Sequence, residues 1–457
     1  MQFATDANLV NKMNDSLVPE DLRREYTKDE ILEIEKKYLV PAVGHYYKDP
    51  VLFVRGEGAT LEDASGKHYI DLFAGICTTI TGYNHPKYVS TIQWQAERLV
   101  YTSSLYATIP YAVLVKRLAE IAPSGLSKSF IVSSGSEAIE AAIFMARKCK
   151  SNPYVVACQR AYHGRTTLAR ELSSAGWRTV PEGHPSGVRF TPYGYCYRCH
   201  FGKEFPDCDF ECARYLREVI RTQTNNAIAA FIAEPIQGVA GIIQPPSEYF
   251  RIVYEIVKEY GGLYISDEVQ TGFGRTGSKW WGIQHAGVDP DIITLAKGFG
   301  SGIPIGGFIT RPEIAADYAV TDAFATFGGN PLSCAAAVAV IDIIQESKYL
   351  ERAAKLGALL KKKLESLQED HKLVGEVRGQ GLMLGVELVR DRTTKEPAVQ
   401  EMLQVMELCK SRGLLIGKGG LDGNVIRFQP PLELKAEQID EACTILDDVF
   451  TEVEKGL

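Results

Sequence analysis

A chain of 457 residues that is 45% hydrophobic and 23% charged has enough apolar side chain for a large core, which excludes a disordered or fibrous protein. Single cores stop growing near ~250–300 residues, so two closely joined domains are expected. The formal net charge of −7 is spread along the chain without a long basic run, leaving no electrostatic footprint for nucleic acid.

The first forty residues include Asp21-Leu22-Arg23-Arg24-Glu25 and lack the apolar core of a secretory signal. No stretch approaches the ~20 uninterrupted apolar residues of a membrane span, so a soluble, cytoplasmic chain with no membrane partner is expected. In a reducing compartment its 10 cysteines are not expected to form a disulfide framework. Val51–Val54, Thr60–Asp63 and Tyr69–Leu72, separated by glycine-bearing turns, read as short strands of a meander.

From about Lys87 to about Ala335 buried strands alternate with amphipathic helices, as a doubly wound sheet requires. Ser129–Val132, Tyr154–Ala157 and Ala229–Ala233 are examples. Directly after the first comes Ser133-Ser134-Gly135-Ser136-Glu137-Ala138, opening a helix that continues from Ile139 to Arg147. Unpaired backbone N–H groups and the positive end of the helix dipole make this junction a phosphate cradle, although a serine N-cap alone would read the same way. Tyr162 and His163 follow the next buried strand, where the tyrosine can stack on a pyridine ring.

Four cysteines, Cys196, Cys199, Cys208 and Cys212, fall in one insertion at about 193–213 with spacing suited to a tetrahedral structural zinc. Buried reduced thiols are the simpler alternative. Gly261–Ile265 reads as a strand that brings Asp267 to its carboxyl end, and Ile292–Leu295 as another with Lys297 just beyond. Gly272, Gly274 and Gly277 follow the first; Gly298, Gly300, Gly302, Gly306 and Gly307 crowd the second. A lysine that forms a Schiff base with pyridoxal phosphate and an aspartate that keeps the ring nitrogen protonated are the two protein groups aminotransferase chemistry needs.

Further on, Tyr349–His371 reads as a charged amphipathic helix, Leu382–Leu388 as a strand and Glu437–Glu454 as a closing helix. Arg427 stands in the apolar run Val425-Ile426-Arg427-Phe428, where a buried guanidinium calls for an anion such as a substrate carboxylate or sulfonate, or for an internal salt bridge. The expected organisation is an N-terminal segment with part of a small domain (1–86), a large cofactor domain (87–335) and a C-terminal small domain (336–457).

Ser134-Gly135-Ser136-Glu137-Ala138, Tyr162-His163-Gly164-Arg165-Thr166, Ala233-Glu234-Pro235-Ile236-Gln237-Gly238, Asp267 to Arg275, Ala296-Lys297-Gly298 and Thr326 to Pro331 together resemble class III pyridoxal-phosphate aminotransferases over nearly the whole chain. Val377 to Met383 and Glu234 to Gly241 look most like type 2 alanine-glyoxylate aminotransferases and bacterial relatives acting on β-alanine or taurine.

The resemblance implies an α/β chain of fold type I, with a mostly parallel doubly wound sheet and a smaller α+β domain built from both chain ends. It implies Lys297 as the cofactor lysine, Asp267 at the ring nitrogen, Gln270 at the ring hydroxyl, Tyr162 in stacking, Gly135 and Ser136 at the phosphate, and His163, Glu234 and Ser134 among the cofactor contacts. Thr326 would reach the phosphate of a neighbouring subunit in a homodimer with shared active sites, and Arg427 would take the substrate acid group. The implied reaction moves an amino group from a small amine or amino acid to a 2-oxo acid by a ping-pong route. A racemase or a dialkylglycine-type decarboxylase on the same fold is the alternative.

Two positions depart from the family pattern. Val239 stands where ornithine and γ-aminobutyrate enzymes carry a glutamate that silences the arginine, and Ile139 replaces the usual asparagine.

Overall fold

The computed structural model describes residues 17–174, 187–318 and 324–456; part of the N-terminal stretch inspected for a signal, residues 1–16, lies outside them. The chain divides into two compact units, one comprising residues up to 55 with 62–67 and the other the remainder. In the first, helix Lys28–Tyr38 starts at a reciprocal cap. The Thr27 hydroxyl accepts from the Glu30 N–H at 3.2 Å and the Glu30 carboxylate accepts from the Thr27 N–H at 2.9 Å.

The second unit is built on a seven-stranded sheet. Its strands lie in the order Lys128–Val132, Gly306–Thr310, Ile292–Leu295, Leu263–Asp267, Ala230–Ala233, Val155–Cys158 and Val188–Thr191. Gly306–Thr310 runs antiparallel to both neighbours, and the pairs from Ile292–Leu295 onward are parallel. The four inner strands of the parallel part are buried at every residue, as a parallel sheet covered on both faces requires.

Helix Gly135–Lys150 covers part of that sheet with Ile139, Ala142, Ile143 and Met145, all fully buried. Each such branched side chain contributes about 1.5–3 kcal/mol over an exposed one. Ile139 thus belongs to the core cluster with Val155, Ile265 and Phe308, and its departure from the family pattern is a packing choice.

Glycine is required where backbone meets backbone. A Cβ on Gly306 would lie 2.3 Å from the Ser134 carbonyl oxygen, so this position brings the antiparallel strand against the start of the helix. The crowding of glycines after Lys297 therefore has a structural share.

A second sheet, entirely antiparallel, orders Val374–Gln380, Met383–Leu388, Val425–Phe428 and Gly417–Gly419. Helices Tyr349–Asp370, Val399–Ser411 and Ala436–Glu454 accompany it. His68–Asp71 pairs in parallel with Leu414–Leu415, joining an early strand to a late one. Among the described residues no helix is long and apolar enough to cross a membrane.

Candidate active site

Adjacent strand ends bring the acid and the lysine together. Asp267 pairs with Thr294 in parallel register, and Lys297 lies three residues beyond that partner in a one-turn helix, Lys297–Phe299. Lys297 holds φ at +50°, a left-handed conformation uncommon for a residue with a side chain. Such strain persists where surrounding structure fixes it, and it clusters at working sites. Both residues line a cavity of about 350 Å³ with Ser134, Gly135, Ser136, Tyr162, His163, Glu234 and Gln270.

Each charged group has a reason for its placement. One oxygen of Asp267 contacts His163 Nδ1 at 2.7 Å; the other accepts from Thr294 Oγ1 and from the Val269 N–H, each at 3.1 Å. The carboxylate is buried, 3% exposed, and its direction is fixed by three groups. His163 is itself held by its N–H donating to Ser173 Oγ at 2.9 Å, and its Nε2 is buried without a hydrogen-bond partner.

Glu234 accepts from the N–H groups of Tyr162 and Gly238, both at 3.0 Å, and so ties two loops that frame the cavity. Burial pushes its carboxyl above the usual range. Burial likewise lowers the Lys297 amine below its ordinary value; Cys77 and Asp267 oppose that and Arg427 adds to it.

At the helix start both readings of Ser134 coexist. Its side chain caps the helix by accepting from the Glu137 N–H at 3.2 Å, while the N–H groups of the first turn have no carbonyl within the helix to bond. A Cβ on Gly135 would press to 3.3 Å from the Ala296 Cβ. Ser136 Oγ accepts from the Arg165 N–H at 3.1 Å, and a Cβ on Gly164 would come within 2.6 Å of that oxygen.

Arg427 and Gln270 meet at the rim. Arg427 Nη2 donates to Gln270 Oε1 at 3.0 Å and to Gln429 Oε1 at 2.6 Å, and its guanidinium lies 5.2 Å from the centre of the Phe73 ring. Val239 stands alongside, since its carbonyl accepts from the Gly420 N–H at 3.0 Å and lies 3.2 Å from where a Cβ on Gly419 would be.

Residues 43–450 match the family model described as Aminotransferase class-III. The chain belongs to the class III aminotransferases. It is 40% identical to the mitochondrial alanine-glyoxylate aminotransferase 2 homolog 2 of Arabidopsis thaliana, covering 92% of this chain and 87% of that one. It is also 38% identical to a leucine/methionine racemase of Thermococcus litoralis, covering 94% and 97% respectively. A thermostable (S)-enantioselective omega-transaminase from Thermomicrobium roseum superposes with a TM-score of 0.87 at 33% identity, over 94% of this chain and all of that one.

The class uses pyridoxal phosphate, and the cavity fits it. A glycine-lined helix start can take a phosphate, a buried carboxylate can take a protonated ring nitrogen, and a partly buried amine of lowered pKa stands beside them.

Three sequence-based expectations fall outside that cavity. Thr326 is exposed and lines a neighbouring hollow of about 700 Å³ with Phe324 and Phe327. Arg427 reaches the cavity through Gln270.

The cysteines are the third. Cys196 opens a one-turn helix that Cys199 closes, and Cys212 lies in helix Glu211–Arg214. Burial pushes the Cys196 thiol to about 11 and the Cys212 thiol to about 12, with the other thiols of the group adding to both. Among the described residues no three His, Cys, Asp or Glu side chains are grouped so as to hold a metal, so the zinc expectation gains no support. All ten cysteines are free.

What fixes this insertion is an ion-pair network. Arg198 bonds Glu387 at 2.6 Å, Arg378 bonds the same carboxylate at 2.7 Å, and Tyr195 donates to it.

Sequence reasoning missed Gln429, Phe73 and Cys77. Period-two spacing puts Gln429 on the same face as Arg427 and could have revealed it. Cys77 Sγ contacts the Gln270 carbonyl at 3.4 Å from a run, Ala74 to Cys77, with φ between +50° and +65° throughout. Nothing in the residue types signals that turn.

Proposed function

We propose that this aminotransferase moves an amino group from a small acidic amine or amino acid, of the taurine, β-alanine, alanine or γ-aminobutyrate type, to a 2-oxo acid such as 2-oxoglutarate, pyruvate or glyoxylate, in two ping-pong halves. One observation carries the acid requirement: Arg427 is buried at the cavity rim and bonded to two amide oxygens. A carboxylate or sulfonate adds ion pairing and a bidentate fit that a neutral amide oxygen lacks, so an acid entering the cavity can replace them. Val239 offers no side-chain charge to compete.

Pyridoxal phosphate, when bound, supplies a protonated ring that delocalises the electron pair left by a breaking substrate C–H bond. The chain supplies the rest. Gly135 and Ser136 would hold the phosphate at the helix start, Tyr162 would cover the ring, Gln270 would face its hydroxyl side and Asp267 would hold the ring-nitrogen proton. Lys297 Nζ would take the proton from the donor's carbon and pass it to the cofactor carbon, with the reverse transfer onto the acceptor's carbon in the second half, and burial makes that amine less basic than an exposed lysine.

The same residues could serve a racemase, and the leucine/methionine racemase relative favours keeping that second reading. A screen of amino donors with 2-oxo acid acceptors, run beside polarimetry of a single enantiomer, separates the two. Amino transfer that requires an acidic donor supports the proposal; loss of optical rotation without any transfer supports the racemase.

We also propose a homodimer in the cytoplasm, with Thr326 reaching the phosphate of the neighbouring subunit. Exposed Phe324, Phe327 and Tyr101 support the dimer as an apolar face beside Thr326. Sedimentation of the holoenzyme as a monomer at working concentration would refute it.

A further inference from the structure

Arg427 and Gln429 are two residues apart in extended chain and face the same way. Both are buried, Gln429 completely. Gln429 Oε1 accepts from Arg427 Nη2 at 2.6 Å, and Gln429 Nε2 donates to Gln270 Oε1 at 3.0 Å. Gln270 Oε1 also accepts from Arg427 Nη2 at 3.0 Å, closing a ring of three side chains.

The chemistry of the groups fixes the orientation of both amides. Guanidinium is donor-only, so each atom facing Arg427 must be an oxygen. An amide oxygen has two lone pairs, and Arg427 and Gln429 fill both on Gln270. The Nε2 of Gln270 is then the end left for the cavity, which Gln270 lines.

We propose that Gln429 is a positioning residue with two tasks: it holds Arg427 ready for an acidic substrate, and it keeps the amide of Gln270 turned so that its NH2 faces the cofactor's ring hydroxyl. The inference rests on the reading of Arg427 as the acid anchor. A neutral holder suits an arginine that must serve acids in both half-reactions, because an anion displaces an amide oxygen more readily than it displaces a carboxylate. When a substrate acid takes Arg427, the Gln429 donor still holds Gln270 and the cofactor side of the cavity keeps its geometry.

The test uses the holoenzyme with Gln429→Leu, Gln429→Glu and Arg427→Ala. Three readouts apply: KM and kcat for an acidic and a non-acidic donor, the pH midpoint of the bound cofactor's visible band, and cofactor dissociation. Gln429→Leu should raise KM for the acidic donor by roughly tenfold, with kcat changing less and the non-acidic donor losing distinctly less than the acidic one. It should also move the pH midpoint, because Gln270 is no longer locked. The nearly isosteric Gln429→Glu should pair with Arg427 and raise KM for acids further, and because it loses the Nε2 donor to Gln270 it should move the pH midpoint in the same direction as Gln429→Leu.

Unchanged kinetics and an unchanged midpoint in both Gln429 variants would overturn the inference, as would equal losses for both donors. Arg427→Ala separates the two levels. If that variant loses acids selectively while the Gln429 variants are silent, only the positioning role falls. If it loses both donors equally, the anchor falls with it.

Discussion

The strand ends beneath the cavity and the rim at Arg427 handle buried charge by opposite means. At the strand ends charge is fixed. Asp267 is held by a histidine, a threonine hydroxyl and a backbone N–H, and Glu234 by two backbone N–H groups. At the rim Arg427 donates to the side-chain amides of Gln270 and Gln429, partners that an anion can displace. The contrast follows from what each region must do: a ring nitrogen needs an anion that does not move, whereas successive substrates need a cation that can be taken up and given back.

The sharpest break in that comparison comes from removing the fixed groups. Lys297→Ala should cut turnover by roughly a thousandfold or more with the fold intact, since no other amine is placed to move the proton. Near-normal multiple turnover, measured with matched circular dichroism, would sink the assignment. Asp267→Asn comes next, with an expected loss of roughly a hundredfold or more in kcat, because the neutral amide cannot stabilise a protonated ring and also loses its charge opposite His163. Kinetics unchanged at saturating cofactor would show that the fixed anion is unnecessary.

Effects at the rim should be smaller and selective. Arg427→Ala is expected to raise KM for acidic donors and 2-oxo acids by about 2–3 kcal/mol in transition-state terms, sparing simple amines. Parallel losses for both kinds of donor would make the rim as structural as the strand ends and erase the distinction.

The two regions were also unequally legible in the sequence. Asp267, Lys297 and the Ser134–Ser136 turn could be read because continuous apolar runs mark parallel strands, and ligands gather at their carboxyl ends. Helix bounds came close for the same reason: periodicity over Tyr349–His371 matches the helix Tyr349–Asp370. The rim could be read only in part. Arg427 stood out as a charge in an apolar strand, but one of its partners, Gln270, comes from 157 residues away, and only the nearby Gln429 could have been found by period-two spacing.

In the cysteine insertion, spacing alone does not establish a metal centre. Local turns bring Cys196 and Cys199 to the ends of one short helix, but a metal centre needs all its ligands to converge, and that depends on contacts spacing does not encode. The insertion accompanies a buried cluster at Glu387, whose partners Arg198 and Arg378 lie in different elements. The left-handed turn from Ala74 to Cys77 was invisible because it includes an isoleucine and a cysteine, residues that carry no signal for positive φ.

The smallest expected effect concerns what the fixed region costs when the cofactor is stripped away. Burial lowers the pKa of Lys297 in the folded chain, so the unfolded chain binds the proton more tightly. That difference works against folding at neutral pH. As the pH rises toward the ordinary lysine value of 10.5, the unfolded amine also loses its proton and the cost disappears. Lys297→Met should therefore raise the melting temperature of the cofactor-free protein at pH 7, by roughly one to two degrees for a chain of this size. The gain should shrink steadily on going to pH 10. A gain of the same size at both pH values would point to better packing by methionine, and a loss at pH 7 would mean that Asp267 and Cys77 hold the ammonium more strongly than burial disfavours it.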